Sequence, residues 1–228
     1  MGNRGCRAQD VRGAFADAEK MEKLMGDVPT VPAKNIVNKV QGGSEWFGVD
    51  YNMNIYRGCS HGCIYCDSRS DCFRVDDFDT VKVKENALQI IRDDLRRKVR
   101  TGVVATGAMS DPYNPREGKL LVTRNALELI NAFGFGVTMA TKSALVARDA
   151  DVLKDISENS PTLVKMTITA ADDALCRSIE PNVSPTSKRF EAMSKLADKG
   201  VFCGVLMLPV LPYVTDSADN IINILRIA

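Results

Sequence analysis

The sequence of 228 residues contains little that would favour a membrane or an electrostatically bound partner. No stretch reaches about 18 consecutive apolar residues, so no transmembrane helix is predicted. The formal net charge is only +1, so overall charge neither favours nor disfavours nucleic acid. The basic run at 92–100 also contains Asp93 and Asp94 and is interpreted as a solvated helix face. Trp46 is the only tryptophan, and no platform of aromatic and basic residues for stacking bases is predicted.

The first residues of the sequence also show no pattern typical of an export signal. Residues 1–23 contain three arginines but no apolar segment of the kind found in secretory leaders. Seven cysteines is an odd number, and the chain is too long for a small disulfide scaffold. We therefore expect a cytoplasmic protein, in which a tight cysteine cluster more often binds metal or does redox work. Cys6, Cys176 and Cys203 are expected to be free or buried thiols.

Apolar runs and helical periodicity alternate along the chain from residue 51 onwards. Several of the runs are nearly continuous, as expected for strands buried on both faces. Strands are predicted at 51–56, 102–109, 136–141, 162–169 and 201–211, and helices at 83–100, 123–133, 149–159, 184–200 and 217–228. This alternation predicts an α/β fold with a parallel sheet, either an open doubly wound sheet or a barrel-like arc.

Two parts are expected along the chain. Residues 1–50 would form an N-terminal helix at 10–25 followed by an irregular lead-in rich in proline and glycine. Residues 51–228 would form five βα units. A fifth strand followed by a single helix would leave an exposed sheet edge, so we expect a fragment or a partner that covers the edge.

Polar residues follow the predicted strands. In parallel α/β proteins the chemistry gathers at the carboxyl ends of the strands. The residues in these positions are Cys59, Cys63 and Cys66 after the first strand, Ser110 and Asp111 after the second, Lys142 and Ser143 after the third, and Thr169 after the fourth. Four separate loops are thus predicted to meet at one rim.

The cysteine loop has the spacing C-x3-C-x2-C over residues 59–66. A [4Fe–4S] cluster is held by cysteine thiolates, and three cysteines would leave one iron open to a small molecule. The alternative is a zinc site, for which Cys72 or His61 could supply a fourth ligand. No second cysteine pair is present, so the spacing favours the cluster over zinc.

The motif C-x3-C-x-aromatic-C, with Tyr65 as its aromatic residue, resembles that of the radical S-adenosylmethionine (SAM) superfamily. The resemblance implies that SAM binds the open iron through its amino and carboxylate groups. It further implies that an electron, from a donor such as a flavodoxin or ferredoxin, cleaves SAM to methionine and a 5′-deoxyadenosyl radical.

Five segments narrow the resemblance to the spore photoproduct lyase-like branch, also called DNA repair photolyase-like. They are NIYRGCSHGCIYCDSRS (54–70), GAMSDPYNPRE (107–117), TKSALVARDADVLK (141–154), IEPNVSPTSKRFEAM (179–193) and LMLPVLPYVTDSADNI (206–221). The branch implies a partial (β/α)6 barrel, here expected to lack its last strand because the chain is a fragment. It also implies DNA as a partner and a damaged base as substrate, with a peptide, tRNA or small metabolite as the alternative.

The resemblance assigns roles to individual residues. Cys59, Cys63 and Cys66 match the cluster ligands, and Tyr65 is expected to lie against the cofactors. Ser110 matches a serine that contacts the amino group of SAM, and Lys142 matches a lysine near the SAM carboxylate. Thr167 or Thr169 falls at a further position facing SAM. Ala108 stands where the lyase has a hydrogen-donating cysteine, which favours a relative that acts on another substrate.

Other rim residues have competing interpretations. His61 could ligate metal or move a proton, or simply pack within the loop. Asp111 could order its loop or bind a ribose, or be a turn residue before a proline. Arg116 and Glu117 could touch substrate, but a surface ion pair between them is the simpler expectation. Glu180 is a further candidate after the fourth strand.

Overall fold

The computed structural model describes residues 28–41 and 48–228. The helix expected at 10–25, Cys6 and Trp46 lie outside the described residues. Within the described ranges, none of the helices has both the length and the apolar character needed to span a bilayer.

Short strands and helices alternate along the described chain. The strands are β1 (Thr30–Val31), β2 (Val37–Lys39), β3 (Tyr51–Met53), β4 (Tyr56–Arg57), β5 (Lys82–Lys84), β6 (Val103–Thr106), β7 (Gly136–Thr141), β8 (Thr162–Thr167) and β9 (Cys203–Leu206). The helices are α1 (Ala87–Arg96), α2 (Glu117–Leu120), α3 (Val122–Ala132), α4 (Ala150–Ser157), α5 (Asp173–Ile179), α6 (Thr186–Asp198) and α7 (Ala218–Ile227).

The main sheet has six strands in the order β2-β3-β6-β7-β8-β9. β2 is antiparallel to β3, and the remaining neighbours are parallel, with a helix in each connection from β6 onwards. A separate three-stranded sheet has the order β1-β5-β4. The predicted α/β fold with a parallel, barrel-like sheet is confirmed.

The two faces of the main sheet differ in burial. Val104, Val137 and Val164 lie on the face that packs against the helices and are fully buried. Burying a side chain of this size contributes about 1.5–3 kcal/mol, so this face sets the strand register. Ala105 and Lys165 point to the opposite face and remain partly exposed. The expectation of strands buried on both faces holds for most of β7 but is wrong for β6, whose burial alternates.

Several element boundaries differ from the sequence predictions. The strand predicted at 51–56 is divided between two sheets as β3 and β4. The helix predicted at 83–100 starts only at Ala87, because residues 82–84 pair with β1 and β4. The strand predicted at 201–211 is limited to 203–206, and Pro209 and Pro212 beyond it have no N–H to donate to a ladder.

Three further elements, α5, β1 and β2, were not predicted. Helix α5 begins after Asp172, whose carboxylate accepts hydrogen bonds from the N–H groups of Ala174 and Leu175. The lead-in at 26–50 contributes β1 and β2, which pair with β5 and β3. The division of the chain near residue 50 remains a prediction.

Asp94 corrects the interpretation of 92–100 as a solvated face. Its carboxylate is buried and accepts hydrogen bonds from the N–H groups of Ile36 and Val37 at 2.7 and 2.9 Å. The Nη2 atom of Arg97 lies 2.8 Å from the Oδ1 atom of Asp94. Asp94 therefore anchors the start of β2 to α1, a role that helix periodicity alone does not reveal.

Candidate cofactor site

The cysteine loop leaves β4 through a sharp turn at Gly58. This residue has a φ of +81°, and a Cβ added there would lie 2.6 Å from the carbonyl oxygens of Phe78 and Thr80. Only glycine fits such a close backbone approach. The next N–H, that of Cys59, donates to the Phe78 carbonyl at 2.7 Å and so holds the first cysteine against the 78–80 segment.

The three motif cysteines are free thiols on one short loop. Cys63 is 7% exposed, while Cys59 and Cys66 are half-buried. Burial raises the pKa of the Cys63 thiol to about 11. At Cys59 burial also opposes ionisation, but the hydrogen bonds and charge of His61, with a backbone hydrogen bond from Asp111, together outweigh burial and lower the pKa. The loop thus places three potential thiolate ligands together, with no disulfide among them.

The chemistry of the donors suits a [4Fe–4S] cluster. The loop supplies three free thiols, and each thiolate of such a cluster binds a different iron, whereas structural zinc takes four ligands. Of the two candidates for a fourth zinc ligand, Cys72 is exposed on a 3-10 turn at 71–73, and His61 is buried beside Cys59.

The cysteine loop is also attached to the last residue of α5 and to the segment that follows the helix. The N–H of Ile64 donates to the Ile179 carbonyl at 3.0 Å. Asn182 donates twice, from its backbone N–H to the His61 carbonyl and from its side-chain amide to the Ser60 carbonyl, each at 3.1 Å. The sequence offered no signal for this contact, because the partners are more than a hundred residues apart.

Asp111 joins three loops at the rim. Its carboxylate accepts hydrogen bonds from the N–H of Tyr113 at 2.8 Å, the hydroxyl of Thr141 at 2.7 Å and the N–H of Lys142 at 2.8 Å. The Nδ1 atom of His61 lies 3.6 Å from the same carboxylate. Burial lowers the pKa of His61, but Cys59 and Asp111 outweigh burial and raise it. Asp111 therefore orders its loop, which is one of the three interpretations given by the sequence.

Ser110 lies directly against the cysteine loop. Its buried hydroxyl donates a hydrogen bond to the carbonyl oxygen of Gly58. A hydroxyl has one proton and two acceptor lone pairs, so Ser110 still has acceptor capacity at this position. Ala108, two residues earlier, is exposed at the same rim.

Lys142, Tyr65 and Thr169 come together on the other side of the loop. The Lys142 ammonium lies 5.6 Å from the centroid of the Tyr65 ring, within cation–π distance. The Tyr65 hydroxyl donates to Glu180, and the Thr169 hydroxyl donates to the same carboxylate oxygen at 3.1 Å. The structure thus brings together residues predicted from the first, third and fourth strands.

Arg189 is a residue of this region that sequence analysis missed. It lies on α6, is fully buried and donates to the second carboxylate oxygen of Glu180. Burial raises the pKa of Glu180, but Arg189 and the Tyr65 hydroxyl outweigh burial and lower it. The helical pattern of residues 184–200 predicts that a basic residue lies on the solvent-exposed face. Only the tertiary structure shows that Arg189 is buried.

Glu117 was expected to form a surface pair with Arg116, and that expectation is wrong. Glu117 is fully buried. It accepts hydrogen bonds from the Tyr56 hydroxyl, from the N–H of Thr123 at 3.0 Å and from Arg148 at 2.8 Å. Its carboxylate therefore ties β4 to the start of α3 and is not available at the surface.

The comparisons with known proteins agree with this arrangement. The family profile of the radical SAM superfamily matches residues 53–225. An uncharacterized protein of Mycobacterium tuberculosis is 32% identical over 202 residues, which cover 86% of this chain and 59% of that protein. One from Methanocaldococcus jannaschii is 31% identical over 172 residues, covering 74% of this chain and 63% of the relative. The chain therefore spans about three fifths of the length of these curated relatives.

Solved structures of spore photoproduct lyase share the fold. The lyase complexed with dinucleoside spore photoproduct has a TM-score of 0.56 at 17% identity, covering 75% of this chain and 48% of that chain. A variant of the lyase with bound AdoMet and dinucleoside spore photoproduct has a TM-score of 0.55 at 16% identity, covering 88% and 64%. At such low identity the likeness shows the fold alone.

Proposed function

Because this chain belongs to the radical SAM superfamily, whose cofactors are a [4Fe–4S] cluster and SAM, we propose that Cys59, Cys63 and Cys66 hold that cluster and that the protein cleaves SAM reductively. The observation that carries the proposal is the placement of three free thiols on one glycine-bent loop. When bound, the cluster and SAM supply reductive cleavage to methionine and a 5′-deoxyadenosyl radical.

The residues around the loop suit the polar groups of SAM. Lys142 carries an ammonium group that can hold the carboxylate of SAM by a charge-assisted hydrogen bond. Ser110 donates its only hydroxyl proton to Gly58, so its lone pairs can accept from the amino group of SAM. We assign Tyr65 and Thr169 to the same site, because both bind Glu180 beside Lys142.

The chemistry requires one electron from outside the loop. Ile64, between the second and third cysteines, is 68% exposed, so the loop reaches the protein surface. We assign the electron donor to the class of flavodoxins or ferredoxins, which could approach the loop at this point. A reducing compartment such as the cytosol would keep the three thiols free for the cluster.

Anaerobic purification tests this proposal. The protein should be brown and contain about four irons per chain, the content of one [4Fe–4S] cluster. Adding SAM and dithionite should then produce 5′-deoxyadenosine, measured by liquid chromatography. The rival is a zinc-stabilised α/β binding module, so a colourless protein with one zinc per chain would contradict the proposed function.

For the substrate we propose a damaged base in nucleic acid, the class to which the dinucleoside bound by the structurally similar lyase belongs. Ala108 has only strong C–H bonds and lacks the weak S–H bond from which a cysteine could return a hydrogen atom to a product radical. Alanine at this position favours a different product from the damaged base. The alternative is a different substrate, namely a peptide, tRNA or small metabolite.

Wild type and Ala108→Cys should therefore be compared on an oligonucleotide that carries a thymine lesion. We expect the lesion to stimulate 5′-deoxyadenosine formation in both proteins and to be converted to intact thymine more completely by Ala108→Cys. Undamaged oligonucleotide of the same sequence is the control. Equal 5′-deoxyadenosine formation with damaged and undamaged DNA would exclude this substrate and favour the alternative.

A further inference from the structure

A buried ionic network lies behind the cysteine loop. Glu180 is 1% exposed and Arg189 is 0% exposed, and the two are in direct contact. One oxygen of Glu180 accepts from Tyr65 and Thr169, and the other accepts from Arg189. Tyr65 belongs to the cysteine motif, so this network connects the motif to α6.

Arg189 is held independently of Glu180. Its Nε atom donates to the Ser184 carbonyl at 2.7 Å, and its Nη1 atom donates to the Thr167 carbonyl at 2.8 Å. Burying an ion costs several kcal/mol, and the cost is offset only when the partner and the remaining donors are all satisfied. The guanidinium is therefore a fixed counter-charge for Glu180.

Lys142 lies next to this pair without joining it. Its ammonium is 5.6 Å from the centroid of the Tyr65 ring. Among the ion pairs of the described residues, none includes Lys142, whereas Glu180 is paired with Arg189. Since Arg189 already pairs with the Glu180 carboxylate, the Lys142 ammonium acts on Glu180 only at longer range and forms no close ion pair with it.

We propose that Glu180, locked by Arg189, is a positioning residue that holds Tyr65 beneath Lys142 and keeps the Lys142 ammonium available for the carboxylate of SAM. The inference rests on the proposed function, in which Lys142 binds that carboxylate. Glu180 itself contacts neither cofactor in this scheme and acts through the Tyr65 ring.

Tyr65→Phe is the mildest test, because it removes the hydroxyl and keeps the ring. The matched control is Tyr51→Phe: the Tyr51 hydroxyl donates to the Arg100 carbonyl at 2.8 Å, and Lys98 lies 5.1 Å from that ring centroid. SAM is titrated into the reduced, cluster-loaded proteins, and its effect on the electron paramagnetic resonance spectrum of the cluster is followed. Loss of a hydrogen bond to a charged group predicts roughly tenfold weaker SAM binding for Tyr65→Phe, with iron content unchanged. Tyr51→Phe should bind SAM as wild type does.

Glu180→Gln tests the carboxylate itself, with Glu117→Gln as its control. Glu117 is likewise buried and is bound by a tyrosine hydroxyl and by Arg148 at 2.8 Å. Glu180→Gln leaves Arg189 without its counter-charge, whereas Glu117→Gln removes one of two carboxylates from Arg148, which also pairs with Asp149 at 2.7 Å. Both variants should lower the melting temperature, because each weakens a buried ion pair. Only Glu180→Gln should weaken SAM binding, and Tyr65→Phe carries the test if Glu180→Gln does not fold.

The outcomes separate this inference from the function on which it rests. Wild-type protein without iron, or without 5′-deoxyadenosine, would overturn both. Active wild-type protein with Tyr65→Phe binding SAM as tightly as Tyr51→Phe would overturn the positioning role alone. A selective loss of SAM affinity in Tyr65→Phe, with iron retained, supports it.

Discussion

Cys63→Ala is expected to remove the iron from the anaerobically purified protein and to abolish 5′-deoxyadenosine formation. Cys63 is the most buried of the three motif thiols and is the middle ligand of the proposed set. Two thiolates cannot retain a cluster that three hold, so iron should fall from about four per chain to a small residue. Iron analysis and the absorption spectrum measure the loss directly.

Cys72→Ala is the matched control for this result. Cys72 lies on the exposed 3-10 turn at 71–73, only a few residues after the motif, and is not one of the proposed ligands. The Cys72→Ala protein should keep its iron and form 5′-deoxyadenosine at the wild-type rate. Equal metal loss from Cys72→Ala and Cys63→Ala is the result that the zinc-stabilised module predicts, and it would rule out the three-cysteine cluster.

Gly107→Ala is expected to cause the largest loss of stability among single substitutions at the rim. Gly107 follows β6 with a φ of +93°, and an added Cβ would lie 2.0 Å from the carbonyl oxygen of Ala140 on β7. The left-handed backbone costs about 1–2 kcal/mol for alanine. The overlap with a backbone atom adds about 1–3 kcal/mol, because the two paired strands must move apart. Thermal unfolding of the cluster-loaded protein should show a markedly lower melting temperature.

Gly134→Ala separates the two causes. Gly134 also has a positive φ, +72°, but no atom lies within 4 Å of the position its Cβ would take. It should therefore lose only the backbone contribution of about 1–2 kcal/mol. If Gly107→Ala and Gly134→Ala unfold at the same temperature, the close approach of β6 and β7 does not limit residue size at 107. The loop that carries Ser110 would then tolerate a side chain at its start.

Local patterns in the sequence were sufficient for the type of fold and for part of the site. Strands and helices that alternate along the chain can be recognised from their periodicity, because each buries one side of its own short segment. The spacing of Cys59, Cys63 and Cys66 is also a local feature, and it predicts that the three thiols lie on one loop. Ser110 and Lys142 could be assigned to a common rim because parallel strands all end at the same edge of a sheet.

The charged interior required the tertiary structure. The sequence patterns predicted Asp94 and Glu117 at the surface and indicated no role for Arg189. In the structure all three side chains are buried and form ion pairs.

The sequence by itself determined where three thiols would be concentrated and which strands would bring other polar residues near them. Only the tertiary structure decided that Tyr65 would meet Glu180, 115 residues away, and that Arg189 would neutralise that carboxylate. The physical reason is that local spacing controls which residues share a loop or a helix face. The pairing of buried charges depends instead on which distant segments pack together, since each ion leaves water only where a partner is already in place.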